Sequence, residues 1–226
     1  AAATADGSAP TRIRDLRHAV STLAAESGVA PRVLVAARGA LEQDERAALR
    51  ASGTTILSLE PRPARLPDFL AESSLEDPVR TPRLAASPAW RLAADAIADF
   101  GPITLLEIAM AGRPEEGSLH ARLHDAMDVV DRLADRPAGV AAGMDRGPGD
   151  VPEHLSALRG SMAVEIRGSE GWCAAVAATD TAPTWSRRVA ATGPAGRFVL
   201  DDAGFTWTGA DGRTVERLAA EPWPGS

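Results

Sequence analysis

The chain has 226 residues, of which 45% are apolar and 24% charged, and its formal net charge is −7. These values are typical of a globular protein with one large or two small domains, for which we expect a cytoplasmic location. The negative charge argues against binding to nucleic acid or anionic membranes, and no apolar run is long enough to cross a bilayer. Cys173 is the only cysteine, so these residues form no internal disulfide, and we expect a buried thiol.

The sequence contains no lysine, tyrosine or asparagine, and all 24 basic residues are arginine. A genome rich in G and C accounts for this bias. Its chemical consequence is that Schiff-base lysines, phosphate-loop lysines and Tyr–Lys proton relays are excluded within this chain.

The first part of the chain predicts alternating helices and buried strands. Residues 1–10 are small and polar and predict a disordered tail. Helical spacing of apolar residues predicts helices over 11–27 and 41–51. Short continuous apolar runs over 32–37 and 54–59 predict strands buried on both faces of a parallel sheet. Together these segments indicate a right-handed βαβ unit.

The second part predicts helices followed by a run of strands. The patterns indicate a helix over 88–100, a strand over 103–111, a helix over 115–133 and a short strand over 140–142. Apolar runs broken by Gly, Pro or Asp over 161–216 predict consecutive antiparallel strands joined by tight turns.

The order of these elements predicts the fold class and the domains. We expect a reduced Rossmann-like βαβ part of α/β type, followed by an α+β part. In the second part, helices would cover one face of an open, mainly antiparallel sheet. The predicted divisions are a tail over 1–10, a nucleotide-binding-like part over 11–68 and a sheet domain over 69–226.

Four segments, in the correct order between Asp15 and Glu216, resemble the glucose–fructose oxidoreductase/inositol dehydrogenase (Gfo/Idh/MocA) family. They are RVLVAARGALEQDERAALRASGTTILSLEP, SPAWRLAADAIADFGPITLLEIAMAG, GSLHARLHDAMDVVDRL and RVAATGPAGRFVLDDAGFTWTGADGRTVE. The resemblance implies a dinucleotide-binding domain and a C-terminal open sheet used for oligomer contacts. It also implies oxidation or reduction of sugars and polyols with a nicotinamide cofactor.

The sequence departs from the family at the positions that carry its chemistry. No Gly-x-Gly-x-x-Gly loop follows an initial strand, and such a loop provides the main contacts with the pyrophosphate of a dinucleotide. Glu60 stands where the resemblance places the lysine of the Glu-Lys-Pro motif, and Asp125 where it places the catalytic histidine. His124 is adjacent, and Asp128 matches the family's aspartate.

These departures favour an oxidoreductase-like protein without dehydrogenase activity. It would need no cofactor and would act as a homo-oligomer, or through other partner contacts, by means of its C-terminal sheet. The alternative is a working sugar or polyol oxidoreductase that uses NAD or NADP. Its cofactor half would then lie upstream of Ala1, or Glu60, His124 and Asp125 would perform altered chemistry. Glu60 and Pro61, at the end of a strand, are the candidate cofactor-binding residues.

One predicted helix carries the remaining candidates. His120, His124 and Asp128 are spaced four residues apart and share a helix face, which is a spacing compatible with a metal site. The alternative is a polar face that borders solvent or a cleft. The neighbouring charges predict a solvated charged face with helix-type ion pairs, formed by Asp128, Asp131, Arg122, Arg132 and Arg136. We assign no catalytic residue and name four cleft candidates: Glu60, His124, Asp125 and Asp128.

Overall fold

The computed structural model describes residues 33–36, 51, 55–58, 61, 79–80, 84–145 and 152–220. The chain divides into two compact units, Ala1–Thr81 and Pro82–Ser226. Val79 and Arg80, which lie in the second predicted domain, therefore group with the first unit. The predicted domain limits at 11–68 and 69–226 stay predictions.

The described part of the first unit is a parallel sheet of three strands in the order β1-β2-β3. Strand β1 spans Val33–Ala36, β2 spans Thr55–Ser58 and β3 spans Val79–Arg80. Each neighbouring pair is parallel. The two predicted strands are therefore confirmed, because continuous apolar runs of this length suit a parallel sheet. The predicted tail over 1–10, the helix over 11–27 and nearly all of the helix over 41–51 lie outside the described residues.

The described part of the second unit contains two α-helices and one large sheet. Helix α1 spans Pro88–Asp99 and helix α2 spans Leu119–Leu133. The eight strands are β4 Leu105–Ala111, β5 Pro137–Asp145, β6 Ser161–Gly168, β7 Cys173–Thr179, β8 Ser186–Gly193, β9 Gly196–Asp201, β10 Gly204–Thr208 and β11 Thr214–Ala219.

The strand order in this sheet is β11-β10-β9-β8-β4-β7-β6-β5. Strand β4 lies between β7 and β8, pairing in parallel with β7 and antiparallel with β8. All other neighbours are antiparallel. The predicted open, mainly antiparallel sheet is confirmed, with β4–β7 as its one parallel pair.

Both helices begin at a serine cap. The Ser87 hydroxyl accepts a hydrogen bond from the Trp90 N–H at 3.2 Å, and the Ser118 hydroxyl accepts one from the Ala121 N–H at 3.0 Å. Helix α2 therefore begins four residues later than the predicted start at Glu115. Glu115 belongs to a short 3-10 turn, Pro114–Glu116, because the cap at Ser118 satisfies the helix's first free N–H groups.

The core lies between the helices and one face of the sheet. Leu106, Ile108 and Met110 of β4 are at most 2% exposed. Phe100, just after α1, packs edge-on against Phe198 of β9 with ring centroids 4.9 Å apart. Large side chains thus fill one layer, as predicted for a sheet covered by helices on one face.

Strand β5 is longer than predicted. It spans nine residues instead of the three over 140–142. Gly and Ala have low strand propensity, so the sequence understated it; pairing with β6 extends it in both directions.

No helix in the described ranges is both long and apolar enough to span a membrane.

Candidate functional site: the open face of the sheet

The strands of the large sheet alternate between a covered and an open face. Burial alternates residue by residue along β4, β6 and β7, as expected for a pleated strand with one face packed. We call the other surface the open face. Its exposed side chains on these strands are Glu107, Ala109, Ser161, Ala163, Glu165, Arg167, Cys173, Ala175 and Ala177.

Alanines occupy the middle of the open face. Ala109 of β4 is level with Ala177 of β7, which is level with Ala163 of β6. In the next row, Glu107 is level with Ala175, and Ala175 with Glu165. These residues line a shallow depression. The centre is therefore a smooth apolar surface between charged side chains.

The charges on the open face stand on both sides of the alanines. An Nη of Arg197 lies 3.4 Å from an Oε of Glu107, and both side chains are about half exposed, at 48% and 51%. Arg188 of β8 lies on the same side as this pair, and Glu165 of β6 lies on the opposite side. The face thus carries both signs of charge around its apolar middle.

Cys173 lies on the open face, so the prediction of a buried thiol was wrong. The neighbouring Trp172 is 5% exposed and packs in the core. Cys173 begins β7, and the alternation of that strand directs it, with Ala175 and Ala177, away from the helices.

The candidates on α2 occupy different environments. His124 is exposed, His120 is half-buried and Asp125 is 2% exposed. Asp125 lies with Ala121 and Ala126 on the side of α2 that is buried. The structure therefore does not bring His124 and Asp125 to one surface. The described ranges contain no group of three His, Cys, Asp or Glu side chains arranged to hold a metal ion.

Asp128 forms a helix-type ion pair. One of its carboxylate oxygens accepts a hydrogen bond from the Arg132 Nε at 2.8 Å, four residues along α2. This hydrogen bond raises the pKa of Arg132 above its ordinary value. The predicted charged face is therefore present at this pair.

Arg122 was wrongly predicted to belong to that charged face. It is 1% exposed and donates hydrogen bonds to the carbonyl oxygens of Gly117, at 2.6 Å, and Arg113, at 2.8 Å. Its guanidinium lies 5.4 Å from the ring centroid of Trp185. Arg122 thus connects the start of α2 to the segment before the helix. The spacing of charged residues along α2 does not predict these contacts.

Arg187 contacts the same tryptophan from β8. Its guanidinium also lies 5.4 Å from the Trp185 centroid and forms an ion pair with Asp202. Arg187 is 6% exposed. The cluster consists of Arg122, Trp185, Arg187 and Asp202. No sequence pattern predicts it, because Arg122 is distant in the chain from the other three residues.

Of the two candidate residues in the first unit, one lies among the described residues. Glu60 lies outside the described residues, and Pro61 is buried. Their role in binding a cofactor stays a prediction.

Comparison by sequence finds no match: neither a family model nor a curated protein matches this chain. Comparison by structure finds dehydrogenases of the Gfo/Idh/MocA type at low sequence identity.

Three similar structures illustrate the likeness. A putative oxidoreductase from Magnetospirillum magnetotacticum MS-1 has a TM-score of 0.59 at 20% identity, covering 91% of this chain and 71% of its own. Levoglucosan dehydrogenase, in complex with NADH and levoglucosan, has a TM-score of 0.66 at 15% identity, covering 92% and 72%. The WlbA dehydrogenase from Bordetella pertussis, in complex with NADH and UDP-GlcNAcA, has a TM-score of 0.58 at 18% identity, covering 91% and 63%. The fold is that of these dehydrogenases.

Proposed function

We propose that this chain is an oxidoreductase-like protein that acts through self-association on the open face of its large sheet, and no longer transfers hydride. The observation that carries the proposal is the row Ala109, Ala177 and Ala163 across three adjacent strands, all exposed. An antiparallel sheet that faces water normally carries polar side chains on that side. A flat apolar middle is better suited to contact with another protein surface.

The charges around the alanines fit a second copy of the chain. Arg188 of β8 is level with Ala109 at one end of the alanine row, and Glu165 of β6 lies in the next row, level with Ala175. A two-fold contact places the same surface on both partners, so a face with both signs of charge can complement itself. The alanines let the two backbones approach closely.

A substitution in the middle of the open face tests this contact. Ala177→Arg introduces a long charged side chain where two faces would meet, and we expect sedimentation velocity to show a smaller species than the unaltered chain. The matched control is Ala98→Arg, at an exposed position on α1, which should leave the sedimentation coefficient unchanged. Equal sedimentation coefficients for the Ala177→Arg variant and the unaltered chain would contradict the proposal.

Cys173 gives an independent measurement, because it is the only cysteine and lies on the open face. We expect its reaction with a maleimide to be slow at high protein concentration and to accelerate on dilution or in the Ala177→Arg variant. Equally fast labelling at every concentration would contradict contact through this face.

NAD(P)-dependent oxidation of a sugar or polyol is a second candidate function. It is favoured by the similarity to dehydrogenases whose structures contain NADH. The chain's residues fit a dinucleotide poorly. Its sequence contains no Gly-x-Gly-x-x-Gly loop, and such a loop lets backbone N–H groups approach a pyrophosphate closely.

Titration with NAD and NADP separates the two candidates. We expect no saturable change in melting temperature with either dinucleotide, and an NADH-binding dehydrogenase of this fold serves as the positive control. A saturable rise in melting temperature would favour the oxidoreductase.

A cytoplasmic location stays part of the proposal.

A further inference from the structure

Strand β5 has an unusual position at the edge of the sheet. It pairs with β6 on one side and has no strand neighbour on the other among the described residues. All nine of its residues are exposed. Val140 is 65% and Met144 36% exposed, and both belong to the few large apolar side chains that are exposed in the described ranges.

Among the described residues, β6 is the one strand that pairs with β5. Its sequence, PAGVAAGMD, is rich in Gly and Ala, which have low strand propensity. A β-carbon at Gly139 or Gly143 would meet no atom within 4 Å, and neither glycine has a positive φ. The described residues therefore do not require glycine at these positions. Glycine in a strand often marks the close approach of another backbone.

The opposite edge of the sheet differs. Strand β11 carries Glu216 and Arg217 in its middle, and charged side chains are a common protection against unwanted strand pairing. From Pro137 to Met144, β5 has no charged residue, and its only proline is the first residue. Between Pro137 and Met144, no described strand pairs with its outer row of N–H and C=O groups.

Val140, Ala142 and Met144 project from the same side of the strand. Their partners on β6 are Ile166, Val164 and Met162, of which the first two are buried. The apolar layer of the covered face thus continues onto β5, beyond the side chains that cover it.

We propose that β5 pairs antiparallel with β5 of a second copy of the chain, about a two-fold axis at Ala142. This register sets Val140 of each copy directly opposite Met144 of the other, on the side where the apolar layer continues. Antiparallel pairing about a two-fold axis uses the same edge of both copies, so the contact closes as a dimer. The second row of backbone hydrogen bonds gives β5 the stabilisation that burial does not supply.

This contact is separate from the one on the open face. The two-fold axis of an antiparallel strand pair stands perpendicular to the sheet. Both open faces therefore lie on the same side of the joined sheet and stay free to meet other copies. The two contacts can be removed one at a time.

Charge substitutions at the two opposed positions test the register. The background is Ala177→Arg, in which the open face is blocked, and the measurement is molar mass by light scattering after size exclusion. We expect a dimer in the background alone. Adding Val140→Lys with Met144→Lys places like charges opposite each other and should give a monomer. Adding Val140→Lys with Met144→Glu places opposite charges there and should restore the dimer.

The control is Val215→Lys on β11, which is exposed on the other edge and should leave the dimer intact. Circular dichroism of each variant verifies that the chain is folded. A monomeric Ala177→Arg background, or equal masses for the two double substitutions, would overturn the proposal. If the molar mass changed with the β5 substitutions but not with Ala177→Arg, only the open-face proposal would be overturned.

Discussion

The two faces of the large sheet are built from the same strands but differ in what they present. On β4, the covered face carries Leu106, Ile108 and Met110, which are at most 2% exposed. The open face of the same strand carries Glu107 and Ala109, which are exposed. Alternate residues of one strand therefore belong to two surfaces with different physical demands.

The side chains of the two faces differ in size as much as in polarity. The covered face needs volume, because the space between sheet and helices must be filled to the density of a close-packed interior. The open face needs flatness, and alanine supplies an apolar surface with little side-chain entropy to lose on contact. A face selected only for solvation would carry polar side chains at these positions.

The largest effect is expected on the covered face. Phe198→Ala removes a ring that is 0% exposed and packs against Phe100 and Phe205, with centroids 4.9 Å and 5.4 Å away. Loss of transfer energy and the resulting cavity should lower the free energy of unfolding by about 3–5 kcal/mol. Urea denaturation followed by tryptophan fluorescence measures it.

The matched substitution on the open face is Ala109→Ser, which leaves the core intact. We expect it to change the free energy of unfolding by less than about 0.5 kcal/mol. Comparable losses from the two substitutions would show that both faces are packed, and would contradict the distinction.

A smaller loss in the free energy of unfolding is expected for the buried charge of Arg122. Arg122→Ala leaves two main-chain carbonyls, those of Gly117 and Arg113, without the donors that they have now. We expect a loss of about 2–3 kcal/mol in the free energy of unfolding, because hydrogen bonds to charged groups are stronger than neutral ones.

The control for Arg122 is Arg132→Ala on the same helix. Arg132 pairs with Asp128 but is 45% exposed, so its loss should cost about 0.5 kcal/mol. Thermal and urea denaturation of both variants give the comparison. Similar losses at the two positions would mean that Arg122 contributes no more than a surface charge.

Regular patterns could be read from the sequence, whereas long-range partners could not. The period of apolar residues located α1 and β4 to within two residues. The start of α2 was misplaced, because Glu115 and Glu116 suit both a first helical turn and the 3-10 turn that they form. Strand β5 was predicted too short, since pairing with β6 decides its length and its own residues do not.

The same limit applies to the candidate site. In the sequence Arg122 looks like any other arginine on a charged helix, and its hydrogen bonds to main-chain carbonyls and its contact with the distant Trp185 appear only in the fold. Cys173 begins β7, in which Val176 is the one large apolar side chain, and alternation from a buried Val176 places Cys173 on the exposed face. That signal was present in the sequence. The alanines of the open face became informative only when the register aligned them across three strands.

The smallest effect is expected for charge on the open face itself. Glu107→Gln removes the ion pair with Arg197, whose side chains are about half exposed and 3.4 Å apart. In the Ala177→Arg background we expect a loss of less than about 1 kcal/mol in the free energy of unfolding, since solvent screens such pairs. Added salt should reduce this loss further, because the Debye length falls from about 10 Å at 0.1 M to about 3 Å at 1 M.

Glu165→Gln is the control for Glu107→Gln, since Glu165 is also exposed on the open face but makes no ion pair with the described residues. Its effect on the free energy of unfolding should be close to zero at low and high salt. In the unblocked chain, both glutamates should instead affect association, because charges at the rim of a contact act on its salt dependence and rate of formation. If Glu165→Gln altered the stability of the blocked chain and left association unchanged, the open face would be a solvated surface like any other.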